Sequence, residues 1–134
     1  MDVKCEWRGT FANAELNRLH AEAFAHESIQ GDDWEGRVAR HSLGWVTARD
    51  DAESLLGFVN VAWDGDVHAF LLDTMVSRSA RRHGIGRQLV ATAVEAVRGS
   101  ECEWLHVDFD DELRSFYFDA CGFAPTNAGL IALR

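Results

Sequence analysis

Apolar and polar residues follow two rhythms along this chain. Over residues 13–25, Leu16, Leu19, His20, Ala23 and Phe24 recur at i, i+3, i+4, i+7 and i+8, which predicts an amphipathic helix with Asn13 as its N-cap. A second helix is expected over 32–42, capped by Asp32 or Asp33. A third is expected over 84–98, stopping at Gly99. Leu113, Phe116, Tyr117, Ala120 and Cys121 repeat the helical spacing. They predict a fourth helix over 112–121, capped by Asp110 or Asp111 and stopped by Gly122. Strand-like runs occupy 4–8, 44–49, 55–63, 68–76 and 104–109, with Phe123 and then 130–133 as the last strands. A polar turn at 50–53 and the hairpin signal Asp64-Gly65-Asp66 separate the central strands.

The resulting order is βααβββ followed by αβαβ. There is no repeat, linker or low-complexity segment, and Pro125 is the only proline. A chain of 134 residues suits one domain, here 1–134, with a single core. Apolar residues make up 47% and charged residues 26%, ordinary for a globular protein. No apolar run reaches the length of a membrane span, and the N-terminal residues show no signal-peptide pattern, so the cytoplasm is the expected location. Cys5, Cys102 and Cys121 lie within apolar patterns without Cys-x-x-Cys spacing, which predicts free thiols and no metal site.

Charge sharpens the picture. The formal net charge is -9, and residues 1–67 carry thirteen acids against six bases. Such a surface repels nucleic acid and suits a cationic partner, although it also serves solubility. Against this background, residues 78–87 read Arg-Ser-Ala-Arg-Arg-His-Gly-Ile-Gly-Arg and hold four of the thirteen basic residues. They join a predicted strand to a predicted helix N-terminus. Unpaired first-turn N–H groups, the helix dipole and arginine donors together favour phosphate there, and glycine admits a close ligand. The dinucleotide fingerprint is excluded because Leu89 stands where a third glycine is needed. The Walker A loop is excluded because Lys4 is the only lysine.

The pattern that fits is Arg-x-x-Gly-x-Gly, carried by Arg81, Gly84 and Gly86 after a strand ending in Met75-Val76. It resembles the acetyl-CoA-binding motif of the GNAT N-acetyltransferase superfamily. Residues 113–123, with Phe116-Tyr117 and then Gly122-Phe123, resemble that family's second signature. The likeness covers roughly residues 55–134, and the first fifty residues match in layout alone. It departs where Asp110 replaces a frequent Asn and Leu72 a frequent acid.

The resemblance implies an α/β single domain built on a mixed, mostly antiparallel twisted sheet of about six to seven strands. Helices lie on both faces, and a central strand pair splays apart, here 68–76 and 104–109. Acetyl-CoA would insert its pantetheine arm between those strands, against the backbone of Met75 and Val76. Its pyrophosphate would sit on Arg81, Arg82, His83, Gly84, Ile85, Gly86 and Arg87. The acceptor would be a primary amine of a small molecule or peptide, without metal, nucleic acid or membrane, on a monomer or homodimer.

Tyr117, the only tyrosine, is implied as the general acid for the departing thiolate; on its residues alone it is equally a core aromatic of a helix face. Asp73 is the first candidate for the base. His68, His106 and Asp108 remain alternatives, and strand alternation is expected to put Leu72 and Asp73 on opposite faces. The acceptor segment is expected at His26, Glu27, Ser28, Asp32, Asp33 and Trp34, where acids and an aromatic suit an ammonium group; Trp34 and Trp45 are equally core candidates. The competing reading is a non-catalytic acyl-CoA-binding or protein-interaction domain on the same fold.

Overall fold

The computed structural model describes residues 2–27 and 31–134. Within them the chain runs β1 (Val3–Trp7), α1 (Asn13–Ala23), α2 (Trp34–His41), β2 (Ser42–Asp50), β3 (Leu55–Trp63), β4 (His68–Val76), α3 (Ile85–Arg98) and β5 (Trp104–His106). The strands form one sheet in the order β1-β2-β3-β4-β5. The first three pairings are antiparallel and β4–β5 is parallel. The mixed, mostly antiparallel sheet is as expected, but it has five strands where six to seven were predicted.

Helices cover both faces, and each face has its own core. Ile85, Leu89, Val90, Ala93 and Val97 of α3 pack on Val59, Val61, Ala69 and Leu71. On the opposite face Leu16, Leu19, Trp34 and Val38 of α1 and α2 pack on Phe58 and Met75. The helical spacing read in α1 is therefore the stripe that buries Leu16 and Leu19.

Local chemistry moves several predicted boundaries. Asn13 does not cap α1; Ala12 stands at the N-cap, and its N–H donates to Glu15 Oε1 at 2.9 Å. Asn13 instead ties α1 to α2. Its Oδ1 accepts from the Glu35 N–H at 2.8 Å and its Nδ2 donates to Asp33 Oδ1 at 3.0 Å. Asp33 caps α2, accepting from the Gly36 N–H at 3.0 Å, which settles the choice between Asp32 and Asp33.

The predicted helix 112–121 is replaced by a 3₁₀ turn at Asp111–Leu113 and a π-helical turn at Ser115–Ala120. The wider turn lets Phe116 and Tyr117 both face inward. The predicted strand at 130–133 does not form; Leu130, Ile131 and Leu133 are 82%, 85% and 82% exposed.

Candidate active site

β4 and β5 pair only from His68↔Trp104 to Phe70↔His106. Beyond that point residues 107–110 leave the ladder, so the hydrogen-bonded pairing of the two strands ends there. β5 stops at His106 rather than at 109 for the same reason. β4 also carries a bulge. Asn60 lies opposite Leu72 and Phe58 opposite Met75, so Asp73 and Thr74 together face the single residue Val59. Asp73 takes φ +60°, the left-handed backbone that makes such a bulge.

The bulge overturns strict alternation. Leu72 lies directly across from Asn60, and Asn60 Nδ2 also donates a long 3.5 Å hydrogen bond to Asp73 Oδ2. Leu72 and Asp73 therefore share one face, that of α1 and α2, instead of lying on opposite faces. Ser42 Oγ donates to Asn60 Oδ1 at 2.5 Å, which turns the amide NH₂ toward the Asp73 carboxylate.

Beyond the C-terminal end of β4 lies the basic loop. A 3₁₀ turn, Arg78–Ala80, leads from β4 into it, and residues 81–84 are exposed. Arg82 and Gly84 both have positive φ, +68° and +75°. The two left-handed residues make a tight, irregular loop just before the N-terminus of α3. Gly84 is the N-cap of α3 and has no side chain to occupy the first-turn donors.

Ile85, 2% exposed, anchors the helix in the core. Gly86 lies against Phe116 and Val76, where an added Cβ would come within 3.2 Å of the Phe116 ring. His83 and Arg87 stay exposed. Arg81 Nη2 donates to the Ala23 carbonyl at 3.0 Å, holding the end of α1 beside the loop. Met75 buries its side chain, so what it offers a ligand is backbone; Val76 is half-buried.

Tyr117, 6% exposed, lies in the α3-side core beside the end of the β4–β5 ladder. Its ring stacks on Phe109 at 4.7 Å, edge-on to Phe116 and Phe123. Its hydroxyl donates to Thr74 Oγ1 at 3.2 Å, so one side chain joins the π turn to β4. Burial holds the phenol above its usual pKa, with Asp108 adding a lesser push in the same direction. The hydroxyl therefore stays protonated through the neutral range.

On the α1–α2 side the sequence reading missed His20. Its Nδ1 lies 2.6 Å from His26 Nε2, and His26 Nδ1 lies 2.5 Å from the Glu27 carbonyl oxygen. A carbonyl only accepts, so His26 Nδ1 carries hydrogen. When His26 is neutral it accepts at Nε2, so His20 donates from Nδ1 and His20 Nε2 keeps a free lone pair. Burial lowers the His20 pKa, and His26 and Arg37 lower it further, while Asp73 and Asp32 oppose them. In the sequence His20 was only one position of a helix stripe, and nothing local marked it.

The remaining candidates have partners. Asp32 forms an ion pair with Arg37 at 2.5 Å. Asp33, as the α2 cap, is held below the usual carboxylate range, first by the Gly36 N–H and then by Asn13. Trp34 is 4% exposed, a core residue under the Arg37 guanidinium at 4.3 Å. Trp45 donates from Nε1 to the Gly9 carbonyl at 2.7 Å. Glu27 is exposed, and Ser28 lies outside the described residues.

His68 and His106 pair with each other at 2.9 Å, and Phe70 stacks on His106 at 4.8 Å, where β4 and β5 are still joined. Among the described residues no group of three or more His, Cys, Asp or Glu side chains is placed to hold a metal ion. No helix among them is long and apolar enough to cross a membrane.

The model of the Acetyltransferase (GNAT) family matches residues 10–123. No curated protein matches the sequence. An acetyltransferase from Trypanosoma brucei is similar in fold, with TM-score 0.82 and 15% identity over 98% of this chain and 99% of that one. An aminoglycoside acetyltransferase from an uncultured soil metagenomic sample, solved in complex with sisomicin, gives 0.79 and 17% over 98% and 95%. A GNAT family N-acetyltransferase from Escherichia coli in complex with CoA gives 0.73 and 16% over 91% and 68%.

Proposed function

Since the chain belongs to the GNAT acetyltransferase family, we propose that it is an N-acetyltransferase moving an acetyl group from acetyl-CoA to a primary amine of a small molecule or peptide. The observation that carries this reading is Tyr117. A protonated phenol, tied to Thr74 at 3.2 Å, stands beside the end of the β4–β5 ladder and beside the glycine loop.

The residues present fit acetyl-CoA. The tight loop at Arg82 and Gly84, the uncapped N-terminus of α3 and the charges of Arg81, Arg82 and Arg87 suit a pyrophosphate. His83 and Gly86 border it, and Ile85 fixes the helix. The edge of β4 at Met75 and Val76, beyond the β4–β5 ladder, offers backbone groups to an extended arm. When bound, acetyl-CoA supplies an activated thioester, attacked directly by the amine in a ternary complex.

The protein then has three tasks. A backbone N–H near Val76 polarises the carbonyl. Tyr117 gives its proton to the leaving sulfur. Asp73, hydrogen-bonded by the Asn60 amide that Ser42 orients, takes the proton of the amine, whose ordinary pKa is near ~10. A second reading, favoured by the tautomer chain above, gives that role to His20 Nε2.

The pH profile separates them, because only the deprotonated form of either group works as a base. With His20 as base, the rate falls as pH drops through a pKa depressed below 6.5. That limb disappears in His20→Gln. With Asp73 as base, His20→Gln leaves the profile as in the wild type and the rate collapses in Asp73→Asn.

Glu27 and Asp32 are the acids proposed to face the acceptor. Asp33 and Trp34 support that wall from the α2 cap and the core. A cationic small amine or a lysine or N-terminal amine should therefore be preferred. The test is CoA release with saturating acetyl-CoA across polyamines, aminoglycosides, amino acids and short peptides. High salt should weaken acceptor binding, since surface fields are screened beyond ~8 Å at physiological ionic strength. A best acceptor of net negative charge sinks the electrostatic argument. Binding of acetyl-CoA without turnover on any amine sinks the enzyme reading in favour of a non-catalytic acyl-CoA-binding domain.

A further inference from the structure

Glu22, in the last turn of α1, reaches across to the root of the basic loop. Its Oε1 accepts from Ser77 Oγ and from the Arg78 N–H, both at 3.2 Å and across 55 and 56 residues of chain. Arg78 opens the 3₁₀ turn Arg78–Ala80, so its N–H has no partner within the turn. Ser77 stands at the N-cap of that turn, yet its hydroxyl makes no cap hydrogen bond. A carboxylate only accepts, so the one Ser77 hydroxyl proton goes to Glu22, and Ser79 donates to Ser77 Oγ at 3.1 Å. The acceptor that the turn lacks locally thus comes from another helix. Ser77 is 7% exposed, and its own N–H donates to the Leu56 carbonyl of β3 at 2.7 Å. Glu22 is therefore tied to a point already fixed on the sheet.

We propose that Glu22 is a positioning residue for the cofactor, holding the start of residues 78–87 in the shape that receives the pyrophosphate. It acts through Ser77 and Arg78, and the inference rests on the reading of residues 81–87 as the cofactor loop. Charge makes the placement informative. Arg78, Arg81, Arg82 and Arg87 make the loop basic, and a carboxylate at its root works against an anion. Electrostatics alone disfavours Glu22 there, so what it contributes is an acceptor oxygen. The neighbouring residue carries a second tie, because Arg81 Nη2 donates to the Ala23 carbonyl at the C-terminus of α1, where a cation is favoured. The last turn of α1 thereby grips the 3₁₀ turn at both ends, Arg78 at its start and Arg81 just past its end. A loop held in this way before the ligand arrives loses less freedom on binding.

The test is CoA affinity by titration calorimetry on the whole chain, with Glu22→Gln set beside Glu22→Ala. The amide oxygen of Gln accepts as the carboxylate does and carries no charge, so this variant should bind CoA as tightly as the wild type or more tightly. Ala removes the acceptor and should weaken binding about tenfold, the contribution of one or two hydrogen bonds. In turnover, Glu22→Ala should raise the KM for acetyl-CoA and leave kcat nearly unchanged. Hydrogen exchange at the Arg78 amide, read without ligand, should speed up in Glu22→Ala and not in Glu22→Gln. Glu22 is exposed and alanine is a strong helix former, so the fold should survive, which far-UV circular dichroism checks. Glu22→Ala binding CoA as the wild type does overturns the proposal. Equal tightening in both variants does so too, because the carboxylate then acts through charge alone. Equal weakening also overturns it, because an amide oxygen then fails to replace the carboxylate. A wild type that binds no CoA sinks the cofactor reading and this role with it, whereas a wild type that binds beside unaffected variants sinks the role of Glu22 alone.

Discussion

Replacing Tyr117 by Phe should lower turnover by about 10²–10⁴-fold, the usual contribution of a positioned proton donor, with acetyl-CoA affinity nearly unchanged. The ring keeps its stacking on Phe109 and its edge contacts with Phe116 and Phe123, because none of them involves the hydroxyl. Only the proton donor and its bond to Thr74 are lost. Steady-state rates with saturating acetyl-CoA, set beside the dissociation constant of the same variant, separate the two effects. Thr74→Val is the control: it removes the hydroxyl partner but leaves the phenol, so its loss should be much smaller. Since burial raises the phenol's pKa, the wild type should show no alkaline loss from Tyr117 below its ordinary value of 10.0. A Tyr117→Phe enzyme with an unchanged chemical rate makes Tyr117 a packing residue and returns the general acid to open question.

The parts of this structure that were legible in the sequence are those fixed by neighbouring residues. β3 and β4 fall where their strand-like runs placed them, because the turn between them is self-sufficient. Asp64 Oδ1 accepts from the Asp66 and His68 N–H groups at 2.8 and 3.2 Å, closing the hairpin without outside help. The glycine loop is similarly local, since positive φ at Gly84 is a property glycine advertises.

What could not be read depends on tertiary contact. Asp73 is not a residue that signals a bulge, and its turn onto the face of Leu72 is set by where Val59 and Asn60 sit on the next strand. Asn13 has the composition of an N-cap, but Glu15 does that work and Asn13 is drawn to α2, 22 residues away at Glu35. Helical spacing at 113–121 correctly put Phe116 and Tyr117 on one side. It could not distinguish an α-helix from a π turn that packs both rings against the core. The apolar run at 130–133 has strand composition but no strand beside it in its own chain. Composition alone does not make a strand without a sheet edge to pair with.

Gly84→Asp and Gly86→Asp should each abolish the thermal stabilisation that CoA confers, for two different physical reasons with one common term. With ligand at ~100 times its dissociation constant, binding to the native state alone stabilises by roughly 2.7 kcal/mol. At Gly84 the backbone holds φ +75° and nothing lies within 4 Å of an added Cβ. Aspartate there meets the left-handed penalty of about 1–2 kcal/mol rather than a clash. It also places a carboxylate over the first-turn N–H groups of α3, taking the donors a phosphate would use and repelling what remains.

At Gly86 the φ is unremarkable, and the obstacle is the Phe116 ring at 3.2 and 3.3 Å from the new Cβ. Phe116 stands edge-on to Tyr117 at 4.8 Å, so the displacement reaches Tyr117 as well as the loop. Gly86→Asp should therefore lose CoA binding and also alter Tyr117 packing, whereas Gly84→Asp should lose binding alone. Thermal shift with and without CoA reads the first effect, and near-ultraviolet circular dichroism of the unliganded proteins reads the second. If both variants fold and bind CoA as the wild type does, residues 81–87 are not the pyrophosphate site, and the uncapped end of α3 serves only as a turn.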